Sequence, residues 1–184
     1  MTGVGGIVAL MDDVSSQEDR LFKANDGLEI LLGFSRLTSS QKKSYLELHA
    51  YISDQVKTLA EQTGRTWDEI SEMDRKILSV HATNSFEDGV FLFGSRFNHS
   101  CAPNVAFLYD SNMAKMSFRA TSNIPTGEEL NISYISLPDL PRSLRKEKLS
   151  HWGFICTCLA CEDSPRSEQG ERRRHELIRV ACEP

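Results

Sequence analysis

The sequence lacks the long apolar runs of membrane proteins, and nothing in it predicts secretion. No apolar run reaches the roughly 18 residues that a transmembrane helix needs. No basic region precedes the short apolar stretch at residues 5–11, so a signal peptide is not indicated. We therefore expect an intracellular protein of the nucleus or cytoplasm, with no membrane partner.

The sequence also lacks an excess of positive charge. Its 21 Lys and Arg residues face 26 Asp and Glu residues, which gives a formal net charge of −5. Because clustered cationic side chains supply most non-specific affinity for nucleic acids, direct nucleic-acid binding is not expected. Basic residues gather locally at 142–148 and 172–179, where acidic residues interleave with them. Both groups are interpreted as solvated helix faces.

An even set of well-spaced cysteines, typical of a secreted disulfide framework, is missing as well. There are five cysteines, and Cys156, Cys158 and Cys161 are too close together to bridge one another without strain. Thiols that bind a metal inside the cell explain this pattern better than disulfides do. Thiolates bind zinc tetrahedrally, and a bent backbone can supply three of them from one turn.

A structural zinc site needs a fourth ligand, for which the spacing leaves several candidates. These candidates are Cys101, Cys182, His99 and His151. The alternative is a catalytic zinc with water in the fourth position, but catalytic sites with three thiolates are rare. Spacing alone does not choose among these possibilities.

The periodicity of the sequence predicts an α+β chain. Residues 1–37 form a poorly defined N-terminal segment, whereas 38–80 show helical spacing in two stretches. The first stretch runs from Thr38 to Gly64, and the second begins at Thr66 with Glu69 as a capping-box partner.

Short strands are predicted in the next part of the chain, residues 81–136. Segments 89–93, 105–109, 115–120 and 130–134 are apolar and are separated by turn formers, and the middle two predict a hairpin. Within 137–163, residues 142–152 predict a helix that ends at Gly153, immediately before the cysteines. Residues 164–184 form a charged tail, either a surface helix or frayed.

Three motifs in this order resemble the SET domain family of protein lysine methyltransferases, in its SET and MYND-like subgroup with a post-SET zinc site. They are Asn-His-Ser-Cys-Ala-Pro-Asn at 98–104, Gly-Glu-Glu-Leu-Asn-Ile-Ser-Tyr at 127–134, and Cys-x-Cys-x-x-Cys at 156–161. The resemblance covers about residues 81–162. It implies a SET-like fold of short β-strands with a helical insert and a zinc-bound post-SET segment. The family's N-terminal Gly-x-Gly strands and MYND finger do not appear in the sequence, so an N-terminally truncated domain is expected.

The resemblance implies S-adenosylmethionine-dependent methyl transfer to a protein lysine, in a histone or another protein. In the family, the Asn-His segment threads beneath the second motif to build the cofactor pocket. Carried over by position, the roles fall on these residues: Tyr134 is catalytic, Asn84, Asn98, His99 and Phe154 contact the cofactor, Trp152 lines the lysine channel, and Cys101 joins Cys156, Cys158 and Cys161 around a structural zinc.

Two other hypotheses remain open. One is a catalytically inactive, zinc-stabilised SET-like module that binds a protein partner through its helical half. The other is a zinc-ribbon protein that binds nucleic acid, against which the acidic net charge counts.

Overall fold

A computed structural model describes residues 20–87, 89–113, 115–135 and 140–181, with the side chains at 177, 178, 180 and 181 left aside. The helices are α1 Gly27–Ser35, α2 Ser39–Leu46, α3 Asp54–Glu61, α4 Glu72–Asn84, α5 Arg142–Leu149 and α6 Pro165–Ala181. The strands are β1 Ser85–Phe86, β2 Gly89–Val90, β3 Asn98–His99, β4 Val105–Asp110, β5 Lys115–Ala120 and β6 Asn131–Ile132. Within these residues, every helix is too short or too polar to cross a membrane. The mixture of helices and short strands agrees with the α+β expectation.

The chain divides into two compact units. The first consists of Met1–Phe97 with Phe107–Arg119, and the second of Asn98–Ala106 with Ala120–Pro184. Most of the expected N-terminal segment lies outside the described residues. The structure therefore does not test the predicted absence of the first SET strands.

Helices α1 to α3 pack around α4 in the first unit. Ile30, Val56, Leu78 and other fully buried apolar side chains fill the space between them. Tyr45 is buried as well, and its hydroxyl donates a hydrogen bond to Ile77 O at 2.8 Å, which satisfies its one polar group. Most of the apolar positions whose helical spacing predicted this half therefore face a shared core. The exceptions are Tyr51, Ile52 and Met73, which are exposed.

The expectation of a continuous helix from Thr38 to Gly64 is wrong. The chain leaves the helical path after Leu46 and returns to it at Asp54. In the intervening segment, the Tyr51 N–H donates to Thr83 Oγ1 at 3.1 Å, and His49 O accepts from Asn84 Nδ2 at 2.6 Å. Side chains of α4 thus satisfy two backbone groups of the segment that interrupts the helix.

The predicted capping pair at the start of α4 is present, but the helix begins later. The Glu69 carboxylate accepts from both the backbone N–H and the hydroxyl of Thr66 at 2.8 Å. These contacts close one isolated turn. Helix α4 begins at Glu72, where Ser71 Oγ accepts from the Asp74 N–H at 3.1 Å.

Short strands follow α4, as the sequence predicts. β1 pairs with β2 in antiparallel fashion, and β4 pairs with β5 in the expected hairpin. Met116 and Phe118 alternate with more exposed neighbours along β5 and are both 2% exposed, which confirms the period of two. Phe118 stacks on Phe97 at 4.6 Å between ring centroids, within a larger group of aromatic contacts. The other members of this group are Phe86, Phe91, Phe93, Phe107 and Tyr109.

The second unit is built on a parallel pair, β3 with β6, and on helices α5 and α6. A 3-10 turn, Ser150–Trp152, extends α5, and Gly153 ends it with a φ of +74°. This left-handed conformation favours glycine, so the predicted helix end is confirmed. The charged tail forms a helix from Pro165 onward, and Ser167 in its first turn is only 3% exposed. Its N-terminal end is therefore packed rather than frayed.

Candidate active site and metal centre

The first two motifs lie side by side in the second unit. Asn98 pairs with Asn131 and His99 pairs with Ile132 in the parallel β3–β6 ladder. One residue further, the Ser100 N–H donates to Ile132 O at 2.9 Å. The pairing brings together two polar segments that are about thirty residues apart in the sequence.

Asn104 fastens the end of the first motif to the second. Its Nδ2 donates to Glu129 O at 2.9 Å and to a Glu128 carboxylate oxygen at 3.2 Å. Its Oδ1 accepts the Asn131 N–H at 3.0 Å, and the residue is 8% exposed. The sequence places Asn104 in the motif but does not reveal this role, which depends on pairing across the unit.

Asn98 lies at the exposed edge of the same ladder. Its Nδ2 donates to a Glu129 carboxylate oxygen at 2.6 Å. This charge-assisted bond fixes the orientation of an amide that solvent can still reach. Glu129 is thus a further polar member of the site that was not predicted from the sequence.

The sulfur atoms of Cys101, Cys156, Cys158 and Cys161 all lie within 4.8 Å of one another. All four cysteines are free, and Cys101 is the most deeply buried of them. Its Sγ lies 3.6 Å from Cys161 Sγ and 3.9 Å from Cys156 Sγ. Zinc–sulfur bonds of 2.3 Å in a tetrahedron separate the sulfurs by about 3.8 Å. The donor set and its spacing therefore fit a zinc ion.

The cluster favours a thiolate at Cys158. The Cys101 thiol and the Cys101 backbone N–H, which lies 3.3 Å from Cys158 Sγ, both donate toward this sulfur. These hydrogen bonds lower the pKa of Cys158 well below its usual range, whereas the same contact and burial raise the pKa of Cys101. Thiolates are the form in which cysteine binds metal.

Arg145 corrects one prediction, since it does not lie on a solvated helix face. The side chain is 0% exposed, and its Nη2 donates to Ala160 O at 3.0 Å and to Cys161 Sγ at 3.5 Å. Lys146 and Lys148 on the same helix are exposed, as expected. The one available signal was Leu149, which follows Arg145 by four residues, shares its helix face and is 1% exposed.

His99 connects the cysteine cluster to the backbone of Tyr134. The Tyr134 N–H donates to His99 Nδ1 at 3.0 Å, and His99 Nε2 lies 3.2 Å from Cys101 Sγ. Burial lowers the pKa of His99 to about 4, so the ring is neutral at pH 7. Since Nδ1 accepts a hydrogen bond, the single proton lies on Nε2 and points toward sulfur. His99 is consequently a neighbour of the cluster and not one of its ligands.

The side chain of Tyr134 belongs to a group of aromatic rings. Ring centroids lie 5.3 Å from His99, 5.3 Å from Trp152 and 6.3 Å from Phe154. The pKa of Tyr134 is raised by burial and, to a smaller extent, by the negative charge of Glu129. The phenol therefore stays protonated at neutral pH. The structure thus brings Asn98, His99, Tyr134, Trp152 and Phe154 into one region of the second unit.

Asn84, the remaining predicted cofactor residue, belongs to the first unit. It is 8% exposed, and its Nδ2 donates to His49 O at 2.6 Å and to Val80 O at 2.7 Å. These bonds give it a structural role at the end of α4, and its contact with a cofactor stays a prediction.

The other candidates for a fourth metal ligand are separate from the cluster. His151 is exposed, and its ring lies 6.4 Å from that of Trp152. It is not a member of the four-cysteine group that the described residues form. Cys182 lies outside the described residues.

Three curated relatives illustrate what the chain is similar to. It is 37% identical over 91 residues to the histone-lysine N-methyltransferase set5 of Schizosaccharomyces pombe, covering 48% of this chain and 28% of the relative. It is 30% identical over 172 residues to a SET and MYND domain-containing protein of Dictyostelium discoideum, with 83% of this chain and 32% of the relative covered. It is 28% identical over 170 residues to the mouse histone-lysine N-methyltransferase SMYD3, with 85% and 37% covered.

The chain thus spans between about a quarter and two fifths of the length of these relatives. The profile of the SET domain matches residues 12–135, which include the paired strands β3 and β6 and the aromatic residue Tyr134. The four gathered cysteines are consistent with a post-SET zinc site. Because the match covers more than half of the chain, the chain belongs to the SET domain family.

Proposed function

We propose that this chain is the SET portion of an S-adenosylmethionine-dependent protein-lysine methyltransferase, with Tyr134 at the transfer site. The observation that carries the proposal is the position of Tyr134. Its backbone is held by His99, which also contacts the cysteine cluster, and its ring packs among Trp152 and Phe154. Two of the relatives described above are named as histone-lysine N-methyltransferases. The finer division into a helical insert at 38–80, a β core at 81–136 and a post-SET segment at 137–163 belongs to this proposal.

Zinc in this proposal is a structural ion. Cys101, Cys156, Cys158 and Cys161 would hold it, and their spacing supports tetrahedral binding. Four thiolates leave no open position for water or substrate, so the ion takes no part in methyl transfer. Its role is to tie the 156–161 turn to the motif that contains Cys101.

Asn98, His99, Phe154 and Asn84 are the proposed contacts of S-adenosylmethionine. When bound, the cofactor supplies a methyl group attached to a positively charged sulfur. Aromatic ring faces attract such a charge, and the partly buried ring of Tyr134 and the exposed ring of Phe154 both lie beside the ring of His99. This chemistry supports the proposed binding region in the second unit, while Asn84 rests on the family resemblance alone.

The chain's own residues would prepare the lysine. The amine must lose its proton to water before transfer, because only the neutral form has a lone pair that can attack carbon. Burial beside the positively charged sulfur of the cofactor would lower the pKa of the lysine amine and so favour its neutral form. The protonated phenol of Tyr134 can hydrogen-bond the amine and direct it, while the rings of Tyr134 and Trp152 can enclose the aliphatic stem of the lysine. Catalysis would then depend mainly on positioning.

The proposed substrate is a lysine on a histone or another protein, and the proposed location is the nucleus or cytoplasm. The names of the relatives support the histone option. The acidic net charge supports contact with a basic protein tail more than contact with nucleic acid.

The test is a methyl-transfer assay with radiolabelled S-adenosylmethionine and core histones. We expect transfer by the zinc-loaded chain, and a loss of roughly a hundredfold or more in Tyr134→Phe if positioning by the hydroxyl is essential. Tyr51→Phe is the matched control, since Tyr51 is exposed in the first unit. A chain that holds zinc and binds the cofactor but transfers no methyl group would contradict the enzymatic proposal and favour a non-catalytic interaction module.

A further inference from the structure

We propose that Arg145 is a positioning residue of the cysteine cluster and that it makes helix α6 part of the metal centre. This inference rests on the proposed zinc site but adds to it a residue and a helix outside the cysteine motif. It accounts for a buried positive charge that neither methyl transfer nor the zinc ligands themselves explain.

The burial of Arg145 is complete. Arg145 has 0% exposure and is the largest by volume of the fully buried side chains among the described residues. A guanidinium removed from water must find acceptors, because an unpaired buried charge is strongly unfavourable. Arg145 finds four acceptors: Leu140 O, Ala160 O, Glu171 Oε2 and Cys161 Sγ.

These acceptors divide between the two ends of the guanidinium. Nη2 faces the cysteine turn, with Ala160 O at 3.0 Å and Cys161 Sγ at 3.5 Å. Nη1 faces Leu140 O and Glu171 Oε2, the latter at 3.3 Å. The planar guanidinium of arginine can make both sets of contacts at once. A lysine cannot, because its donors all lie on one nitrogen atom. Arg145 therefore joins the metal-binding turn to α6.

The contact with Cys161 has a direct electrostatic meaning. Zinc with four thiolates carries a net charge of about −2. A guanidinium that donates to one of those sulfurs offsets part of this charge and withdraws electron density from the sulfur. It also holds Cys161 Sγ in place, 3.6 Å from Cys101 Sγ. Groups that hydrogen-bond to metal ligands commonly change metal affinity by roughly 10- to 100-fold.

Helix α6 holds Arg145 from the opposite side. Glu171 is 17% exposed at its side chain and accepts from the Arg142 backbone N–H as well as from Arg145, with Arg174 Nη1 at 3.5 Å. In the first turn of α6, Ser167 Oγ donates to Ala160 O at 3.0 Å, the same carbonyl that Arg145 contacts. The helix thus reaches the cysteine turn both through the ion pair and through Ser167.

Arg142 is a natural control for this proposal. It lies one turn before Arg145 on the same helix, and its guanidinium also contacts the chain around α6: Ser167 Oγ at 2.7 Å, Glu162 O at 3.2 Å and Asp163 Oδ1 at 3.2 Å. Its described contacts do not include a sulfur atom. A variant of Arg142 therefore loosens the helix without removing a donor from the cluster.

The experiment compares the 184-residue chain with Arg145→Met and Arg142→Met, each loaded in turn with zinc and with cobalt(II). Metal release to an excess of chelator is followed by an indicator dye, and the thiolate-to-cobalt charge-transfer band is recorded. We expect Arg145→Met to release metal roughly tenfold faster or more. Its charge-transfer band should move to lower energy, because the sulfur of Cys161 is then richer in electrons. Arg142→Met should keep the band of the original chain and a release rate within about threefold of it.

If Arg145→Met does not fold, Arg145→Lys tests the proposal instead. This variant keeps the positive charge but not the planar set of donors. The proposal expects faster release in this variant, with a band that stays close to the original energy. An unshifted band in Arg145→Met, with release rates equal in Arg145→Met and Arg142→Met, would assign Arg145 to holding the helix only and overturn the inference. For Arg145→Lys, release as slow as in the original chain has the same meaning. An original chain that takes up neither metal would instead overturn the zinc site itself, so the two failures are distinguishable.

Discussion

The imidazole of His99 lies between Tyr134 and Cys101, accepting the Tyr134 N–H at Nδ1 and directing Nε2 toward Cys101 Sγ. The contact distances are 3.0 Å and 3.2 Å. A single neutral side chain thus links the proposed transfer site to the proposed metal centre. The same ring therefore contacts both the cysteine cluster and the backbone of Tyr134.

Replacing His99 tests this link. His99→Ala leaves the Tyr134 N–H without its acceptor, and we expect a loss of about 1–3 kcal/mol in the free energy of unfolding. Urea denaturation measures this loss, and the amide proton resonance of Tyr134 should shift upfield. His151→Ala is the control, because His151 is exposed in the same unit and should change stability by less than about 0.5 kcal/mol. Equal effects of the two variants would contradict the link.

Removal of one cysteine should release the metal. Cys158→Ser replaces a thiolate ligand by a poor one, so we expect zinc content to fall from about one ion per chain to near zero. Elemental analysis after gel filtration measures the stoichiometry. Hydrogen exchange should become faster at residues 150–162, because metal binding and local folding are coupled.

Thr157→Ala is the matched control for this change, since Thr157 is an exposed residue between two of the cysteines. It should retain the metal and the slow exchange. Full zinc retention by Cys158→Ser would show that the four sulfurs do not act together.

Acid should destabilise the first unit through His81. This side chain is 7% exposed, its ring stacks on Phe22 at 5.8 Å, and burial lowers the pKa of His81 from 6.5 to about 4. Above pH 6.5 both the folded and unfolded forms are neutral. Below pH 6.5 His81 binds a proton in the unfolded form but stays neutral in the folded form. The free energy of unfolding therefore falls with pH until about pH 4. The loss can reach about 3 kcal/mol.

Denaturation curves between pH 7 and pH 4 measure this effect. His81→Phe preserves the ring stacking but cannot be protonated, so its stability should fall less over this range. His49→Gln, at an exposed histidine of the same unit, should keep the original pH dependence. A His81→Phe variant with an unchanged pH profile would contradict the assignment.

Asn84 combines a structural role with a predicted cofactor contact, and the two can be separated. Asn84→Ala removes the donor from His49 O and Val80 O, so we expect it to lose about 1–3 kcal/mol of stability. Lys76→Ala, on the exposed face of the same helix, should change stability by less than about 0.5 kcal/mol.

Calorimetry with S-adenosylmethionine at a temperature where both variants are folded measures the second role. Weaker binding in Asn84→Ala than in Lys76→Ala supports the cofactor contact. Equal binding in the two would leave Asn84 with its structural role alone and contradict the predicted contact.

Several local features could be predicted from the sequence because they depend on neighbouring residues. The hairpin of β4 and β5 follows from alternating apolar residues with turn formers between them, and the end of α5 follows from Gly153. The three clustered cysteines likewise predict a turn that gathers thiols, and the structure brings their sulfurs together. The family motifs indicated the fourth cysteine, but spacing alone left four candidates for this position.

The features that were predicted wrongly or not at all depend on distant contacts. The helix expected up to Gly64 is interrupted after Leu46, in a segment where Thr83 accepts the Tyr51 N–H and Asn84 donates to His49 O. Arg145 looked like one charge among several on a polar helix, and its burial requires Glu171 and the cysteine turn to be in place around it. Asn104 needed the pairing of two segments before its role could be recognised.

The sequence by itself therefore determined the class of the chain, its family and the types of chemical group in its site. Periodicity, capping residues and short motifs act within one or two turns of the backbone, where the physics is local. Only the tertiary structure decided which polar groups are buried and what they contact. The free energy of a buried charge or amide depends on acceptors contributed by segments far away in the sequence, as Arg145 between Cys161 and Glu171 illustrates.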